Sequence, residues 1–227
     1  AALSVQKGRS GYGILCDGRL GQKALYQAAG QDLWIGRPTE WPDSRPLELE
    51  PELGSEFERL SEWPLQHVVK VLCFCHPEDD EATWSSQERS IKRLFEAARH
   101  NRLEFLLEII PSKVGEVDGM TTTKLIQRFY DLGVFPDWWK LEPFKTPRAW
   151  QLACDTINKN DPYTRGIVVL GLDAPAEELL KSFQLAAQHD LVKGFSVGRT
   201  IFGDVARNWM QGRVTDTGAV NSMAQNY

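Results

Sequence analysis

No run of eighteen apolar residues occurs in the 227-residue chain, and no apolar stretch near its start resembles the core of an export signal. Neither a membrane span nor a secretory leader is expected, and the reading is of a cytoplasmic protein. Basic charge is not in excess: 26 lysines and arginines stand against 31 aspartates and glutamates, a net charge of −5, with both signs scattered. Nucleic-acid binding usually shows as a basic patch or stripe, so that class of partner is not expected. Cysteine is sparse as well. Cys16, Cys73, Cys75 and Cys154 form no CxxC pair, which favours reduced buried thiols over disulfides or a zinc site. Neither a GxGxxG nor a GxxxxGKS loop follows any strand candidate, which weighs against an open nucleotide-binding sheet.

What is present is alternation. Short apolar runs at Gly13–Asp17, Leu33–Pro38, Val68–Cys75, Phe105–Ile110, Trp138–Glu142, Ile167–Asp173 and Gly194–Arg199 read as strands. Most are separated by helical stretches such as SQERSIKRLFEAARH, where Ile91, Leu94, Phe95 and Ala98 share one face. Near-continuous apolar strands separated by helices are parallel strands covered on both sides. The fold class expected is α/β, a (β/α)8 TIM-type barrel. Seven strands are visible and a closed barrel needs eight, so the first is missing or unrecognisable in this chain. Residues 1–10 read as a disordered or linker lead and 11–227 as a single barrel domain; residues 39–66, rich in Pro and Glu, read as a surface excursion. The opening AALSVQKGRSG lacks a methionine, which points to the C-terminal part of a larger protein.

Three charges interrupt apolar strands: Lys70 in VVKVLCF, Glu108 in LLEII and Lys140 in WWKLEP. Burying an unpaired ammonium or carboxylate costs several kcal/mol, so three on separate strands suggest one shared cavity. Period-two alternation puts Lys70 on the side of Leu72 and Phe74, and Lys140 on the side of Trp138 and Glu142. Lys70 could instead snorkel from a strand end, and Glu108 could be half of a structural ion pair. Together, however, the three have a chemical use. A lysine forms an imine with a ketone only when its amine is neutral, and a nearby cation and an apolar wall both favour that form. A strand carboxylate then moves the protons.

The last strand supplies the second clue. Gly198 and Arg199 in GFSVGRTIF precede a helix-like segment, and barrel enzymes often hold a phosphate there on glycine N–H groups and a helix N-terminus. Arg199 can add a bidentate contact, and Gly171 in VVLGLDAP allows close backbone approach from the preceding strand. Asp17, Arg37, Glu40 and His76 follow strands and are candidates for the rim. Metal binding by His76 with Asp79 and Asp80 ranks below a polar loop at the mouth, and no metal or cofactor is expected. His67, His100 and His189 read as surface or helix-end residues.

The stretches CDGRLG, WIGRPTEWP, KVLCFCHPEDD, LLEIIPSK, PDWWKLEP, GIVVLGLDAP and VKGFSVGRTIF run through nearly the whole chain. On them the chain resembles the aldolase-like domain fused C-terminally to carbohydrate kinases of myo-inositol breakdown, itself similar to the tagatose-bisphosphate class I aldolases. The resemblance implies a Schiff-base lysine at Lys140, a proton-transferring glutamate at Glu108, a neighbouring lysine at Lys70 and a phosphate-binding pair at Gly198 and Arg199. It also implies cleavage of 2-deoxy-5-keto-D-gluconate 6-phosphate to dihydroxyacetone phosphate and malonate semialdehyde, a kinase domain fused N-terminally, and a capacity to form homo-oligomers. One departure stands out: the family's first strand carries an Asp-Gln or Asp-His-Arg motif, absent here before Gly11. Two other functions stay open on the residues alone. One is a non-catalytic phosphate-binding module regulating a fused kinase; the other is a barrel sugar-phosphate isomerase or epimerase. A metal-dependent class II aldolase is disfavoured because no two histidines fall at strand ends as ligands.

Overall fold

A computed structural model describes residues 1–227 apart from Asp173 and the side chain of Ala176. Among the described residues, seven strands form one sheet in chain order: β1 Gly13–Leu15, β2 Trp34–Pro38, β3 His67–Cys73, β4 Glu104–Ile109, β5 Trp138–Leu141, β6 Gly166–Leu170 and β7 Val192–Ser196. Every pairing is parallel. The helices are α1 Ala2–Gln6, α2 Gln22–Ala28, α3 Glu81–His100, α4 Thr121–Asp131, α5 Pro147–Asn160, α6 Ala176–Ala186, α7 Arg199–Met210 and α8 Asp216–Asn226. Strand order matching chain order, with crossover helices between, is the arc of a TIM-type barrel. β1 and β7 are its two ends; they do not pair with each other.

The strands split their side chains between two environments, as period two requires. Val69, Val71 and Cys73 of β3, Phe105, Leu107 and Ile109 of β4, and Trp139 and Leu141 of β5 belong to the helix-covered core. α3 meets that core through Trp84, Ile91, Leu94, Phe95 and Ala98, and its start is fixed by Asp80, whose carboxylate accepts from the Thr83 N–H at 2.9 Å. The other face turns inward. At the N-terminal end of the strands, Trp34 meets Trp138 edge-on at 5.9 Å, and the Trp138 indole donates to Glu104 at 2.7 Å. This floor closes the bottom of the arc and leaves the polar residues above it.

Several expectations are corrected. The lead is not structureless: α1 occupies residues 2–6, and the buried Gln6 amide donates to the Gln31 and Asp32 carbonyls at 2.9 and 3.2 Å. The last strand ends at Ser196 rather than Arg199, because Gly198 is the residue before α7 and Arg199 its first residue. The sixth strand ends at Leu170, and the part of its expected range at Asp173 lies outside the described residues. α8 was not foreseen. It packs on α7 and α1, with Tyr227 stacked on Tyr12 at 5.9 Å. Among the described residues, no helix is long and apolar enough to cross a membrane.

Candidate active site

Pairing register decides which side chains meet. Glu108 pairs with Lys140 across β4 and β5, and Leu72 pairs with Glu108 across β3 and β4, so Lys70 shares their face one step lower. The side chains converge there. Glu108 Oε1 lies 2.8 Å from Lys140 Nζ, and Glu108 Oε2 lies 2.7 Å from Lys70 Nζ. Lys70 also contacts Glu40 closely. Glu40 is held in turn: its Oε2 accepts from the Thr39 and Leu72 N–H groups, each at 3.2 Å. The Thr39 hydroxyl donates to the Lys70 carbonyl at 2.8 Å. Lys70, Glu108 and Lys140 are all buried, so these ion pairs sit largely out of water.

The electrostatic consequence differs between the two lysines. Burial opposes the Lys70 charge, but Glu108 and Glu40 outweigh it and hold its pKa above the ordinary lysine value. For Lys140 burial dominates; Glu108 pulls the other way, Lys70 adds to the push, and the pKa falls below the ordinary value. Burial likewise opposes charge on Glu108, yet the two ammonium groups win and keep its carboxyl below the usual range. The three shifts agree on one state: Glu108 ionised, Lys70 a fixed cation, and Lys140 the amine most readily neutralised. Nucleophilic attack on a carbonyl needs a neutral amine, and the direction of the Lys140 shift favours that form.

A cavity of about 310 Å³ at the C-terminal ends of β1–β3 is lined by Asp17, Glu40, Leu72 and Phe74 among others; it meets the cluster through Glu40, and Lys70, Glu108 and Lys140 do not line it. Asp17 orders the adjoining turn by accepting from the Arg19 and Leu20 N–H groups at 2.9 and 2.6 Å. Two residues beyond Lys140, Glu142 accepts from the Ser112 N–H at 3.2 Å and contacts the Ser112 hydroxyl. Burial raises the Glu142 pKa, and the Ser112 hydrogen bonds only partly offset this. Ser112 is not among the residues expected from sequence; it lies in a short loop helix, where no periodicity marks it.

The expected anion-binding residues Gly171, Gly198 and Arg199 lie at the β6 and β7 ends. A Cβ on Gly171 would lie 3.3 Å from the Val197 side chain, and the Thr200 hydroxyl donates to the Ala174 carbonyl at 3.2 Å. The two loops therefore abut. α7 starts at Arg199 beside these loops, with the Gly198 carbonyl accepting from the Ile201 N–H at 2.8 Å.

Two rim candidates lie elsewhere. Arg37 pairs in register with Val69, a core-side residue, and so points away from the interior that Pro38 and Lys70 face. Its guanidinium stacks on Trp63, 3.6 Å above the ring. His76 braces loops instead of facing the mouth. Its Nδ1 accepts from the Glu78 N–H at 3.3 Å, which leaves Nε2 to donate to the Glu116 carbonyl at 2.9 Å. Among the described residues, no group of three or more His, Cys, Asp or Glu is arranged to hold a metal. His67, expected on the surface, is buried at the start of β3.

A family match spans residues 1–227 and carries the description "Uncharacterized protein conserved in bacteria (DUF2090)". The chain belongs to this family. No curated protein matches it. Among solved structures it is similar to fructose-bisphosphate aldolase from Slackia heliotrinireducens DSM 20476, with TM-score 0.60 and 12% identity over 100% of this chain and 76% of that one. It is also similar to Cgl0159 from Corynebacterium glutamicum, with TM-score 0.56 and 16% identity over 99% of this chain and 72% of that one. At such identities the likeness shows the fold, which is aldolase-like.

Proposed function

We propose that this chain is a Schiff-base-forming aldolase domain, a lyase in which Lys140 is the nucleophile. The observation that carries the reading is the Lys70–Glu108–Lys140 chain, with contacts of 2.7 and 2.8 Å and Lys140 alone of the two lysines shifted toward neutrality. Neutral Lys140 attacks the ketone carbon, and the carbonyl oxygen takes up a proton to give a carbinolamine. Glu108, after receiving the proton released by the lysine nitrogen, returns it to the departing hydroxyl, and water leaves as the iminium forms. A base at the mouth removes the proton of the β-hydroxyl, the carbon–carbon bond breaks to release an aldehyde, and its electrons flow into the iminium to leave an enamine. Protonation of that carbon and hydrolysis regenerate Lys140. The Lys70 ammonium assists by disfavouring a second positive charge on Lys140 at rest. This chemistry asks for no cofactor.

The anionic end of the substrate is assigned to Gly171, Gly198 and Arg199, where a phosphate meets glycine backbone, the α7 N-terminus and a guanidinium. The substrate is a phosphorylated keto-sugar acid, 2-deoxy-5-keto-D-gluconate 6-phosphate, split to dihydroxyacetone phosphate and malonate semialdehyde. The complete unit is a single eight-strand barrel of residues 11–227 plus one further strand between β1 and β7, working beside a carbohydrate kinase domain in the cytoplasm. These finer assignments rest on the motif resemblance. A coupled assay for dihydroxyacetone phosphate tests them: release from the keto-acid phosphate is expected. Release from fructose 1,6-bisphosphate alone would retain the aldolase and overturn the substrate.

A further inference from the structure

A second cavity, of about 500 Å³, lies on the opposite face of β2 from the lysine cluster, between α2 and the 39–66 excursion. Pro38 and Glu50 also line the cavity at the strand ends, but Lys70, Glu108 and Lys140 do not reach the outer one. Arg37 projects into it from β2 and His67 from the start of β3; Trp63, Leu53, Pro64 and Leu25 supply apolar walls. Two polar atoms here lack partners. Arg37 Nε and His67 Nδ1 are both buried and make no hydrogen bond among the described residues. Leaving buried polar atoms unpartnered is unfavourable, so two in one cavity suggest a ligand that satisfies them. His67 is only 8% exposed, and the ring therefore has little access to water as a substitute.

The shape and charge restrict what the ligand is. Arg37 lies flat on Trp63 at 3.6 Å, which fixes the plane of its donor fork and suits a carboxylate accepting from Nε and a neighbouring Nη. Burial, reinforced by Arg37, depresses the His67 pKa, so the ring is neutral near pH 7 and offers a single N–H. Around Arg37 and Arg59 stand three glutamates, Glu50, Glu52 and Glu62. A phosphate dianion would face more negative than positive side-chain charge. A zwitterion would not: its carboxylate meets Arg37 and His67, its ammonium the glutamates. Glu50, partly buried and near enough to Arg37 to favour the guanidinium's charge, is the acceptor offered to the ammonium; burial and neighbouring carboxylates raise its own pKa, and an incoming cation would offset that. We infer that this outer cavity is a binding site for a free α-amino acid with an apolar side chain, distinct from the Lys70–Glu108–Lys140 cluster.

Thermal shift and calorimetry with the proteinogenic L-amino acids, one at a time, test it. Apolar ones, phenylalanine or leucine among them, should raise the melting temperature and bind in calorimetry, while 3-phenylpropanoate, which lacks the ammonium, binds more weakly than phenylalanine. Arg37→Met should weaken binding about tenfold or more, the loss expected for a charge-assisted hydrogen bond. Arg37→Lys should not rescue it, because an ammonium cannot form the planar fork. Should Arg37→Met fail to fold, Glu50→Gln decides: it should erase the difference between phenylalanine and 3-phenylpropanoate. Lys140→Met should bind as the parent does. No response to any amino acid, binding that survives Arg37→Met, or inorganic phosphate binding as tightly as phenylalanine would each overturn the assignment.

Discussion

The two halves of the proposed site are made differently. Lys70, Glu108 and Lys140 stand on β3, β4 and β5, all buried, with contacts to one another below 3 Å. The anion half rests on the β6 and β7 ends and on α7, a helix with no buried residue among those described. Arg199 is exposed, whereas Lys140 is only 7% exposed. The contrast teaches where each half gets its order. The nucleophile is held before substrate arrives, by strands packed on both faces, so its electrostatics are built in. In the proposed anion half, α7 has no buried residue among those described, so an anion bound there would spend part of its binding energy on fixing the helix.

Substitutions should expose that difference. Lys140→Met should reduce cleavage to background with the fold intact, read by a coupled assay and far-UV circular dichroism. Lys140→Arg should be equally inactive, since a guanidinium stays protonated. Glu108→Gln comes next. It leaves two buried lysines without their shared carboxylate, so a stability loss of about 3–5 kcal/mol is expected in denaturant titration. Proton transfer should slow by about 10²–10⁴-fold in the same variant.

Lys70→Met should act more gently and through pH. The Lys70 ammonium depresses the Lys140 pKa, so removing it raises that pKa and moves the rising limb of the pH–rate profile toward alkaline pH. An unmoved profile would show that the two lysines are not coupled. Arg199→Ala should be smallest, raising KM for a phosphorylated substrate with little change in kcat, as expected of a contact made equally in ground and transition states. A loss confined to kcat would move Arg199 from the anion half into the chemistry.

The same contrast explains what could be read from sequence. A charge inside an apolar strand is visible because alternation leaves it no cheap position, and Lys70, Glu108 and Lys140 were legible for that reason. Strand β2 was harder. Its Gly36, Arg37 and Pro38 give no apolar alternation, so the parity that sends Arg37 outward was hidden, and Glu40 read as rim rather than as the partner of Lys70. The run GFSVGR continues an apolar pattern past Ser196, which carried the expected strand three residues into the loop and α7. α8 carries only a weak amphipathic pattern, AVNSMAQN, and polar residues dominate it. Ser112 and His67 depend on partners distant in sequence, Glu142 in one case and the Arg37–Trp63 cavity in the other. Such contacts belong to the folded arrangement and leave no local mark.

Incubation with dihydroxyacetone phosphate and sodium borohydride, followed by peptide mass mapping, tests the central claim most directly. Reduction converts a Schiff base into a stable secondary amine, so the modified residue records which nitrogen attacked. The account predicts one adduct, on the peptide carrying Lys140, lost in Lys140→Met and retained in Arg37→Met. An adduct on Lys70, or none at saturating ligand with the protein folded, would contradict it.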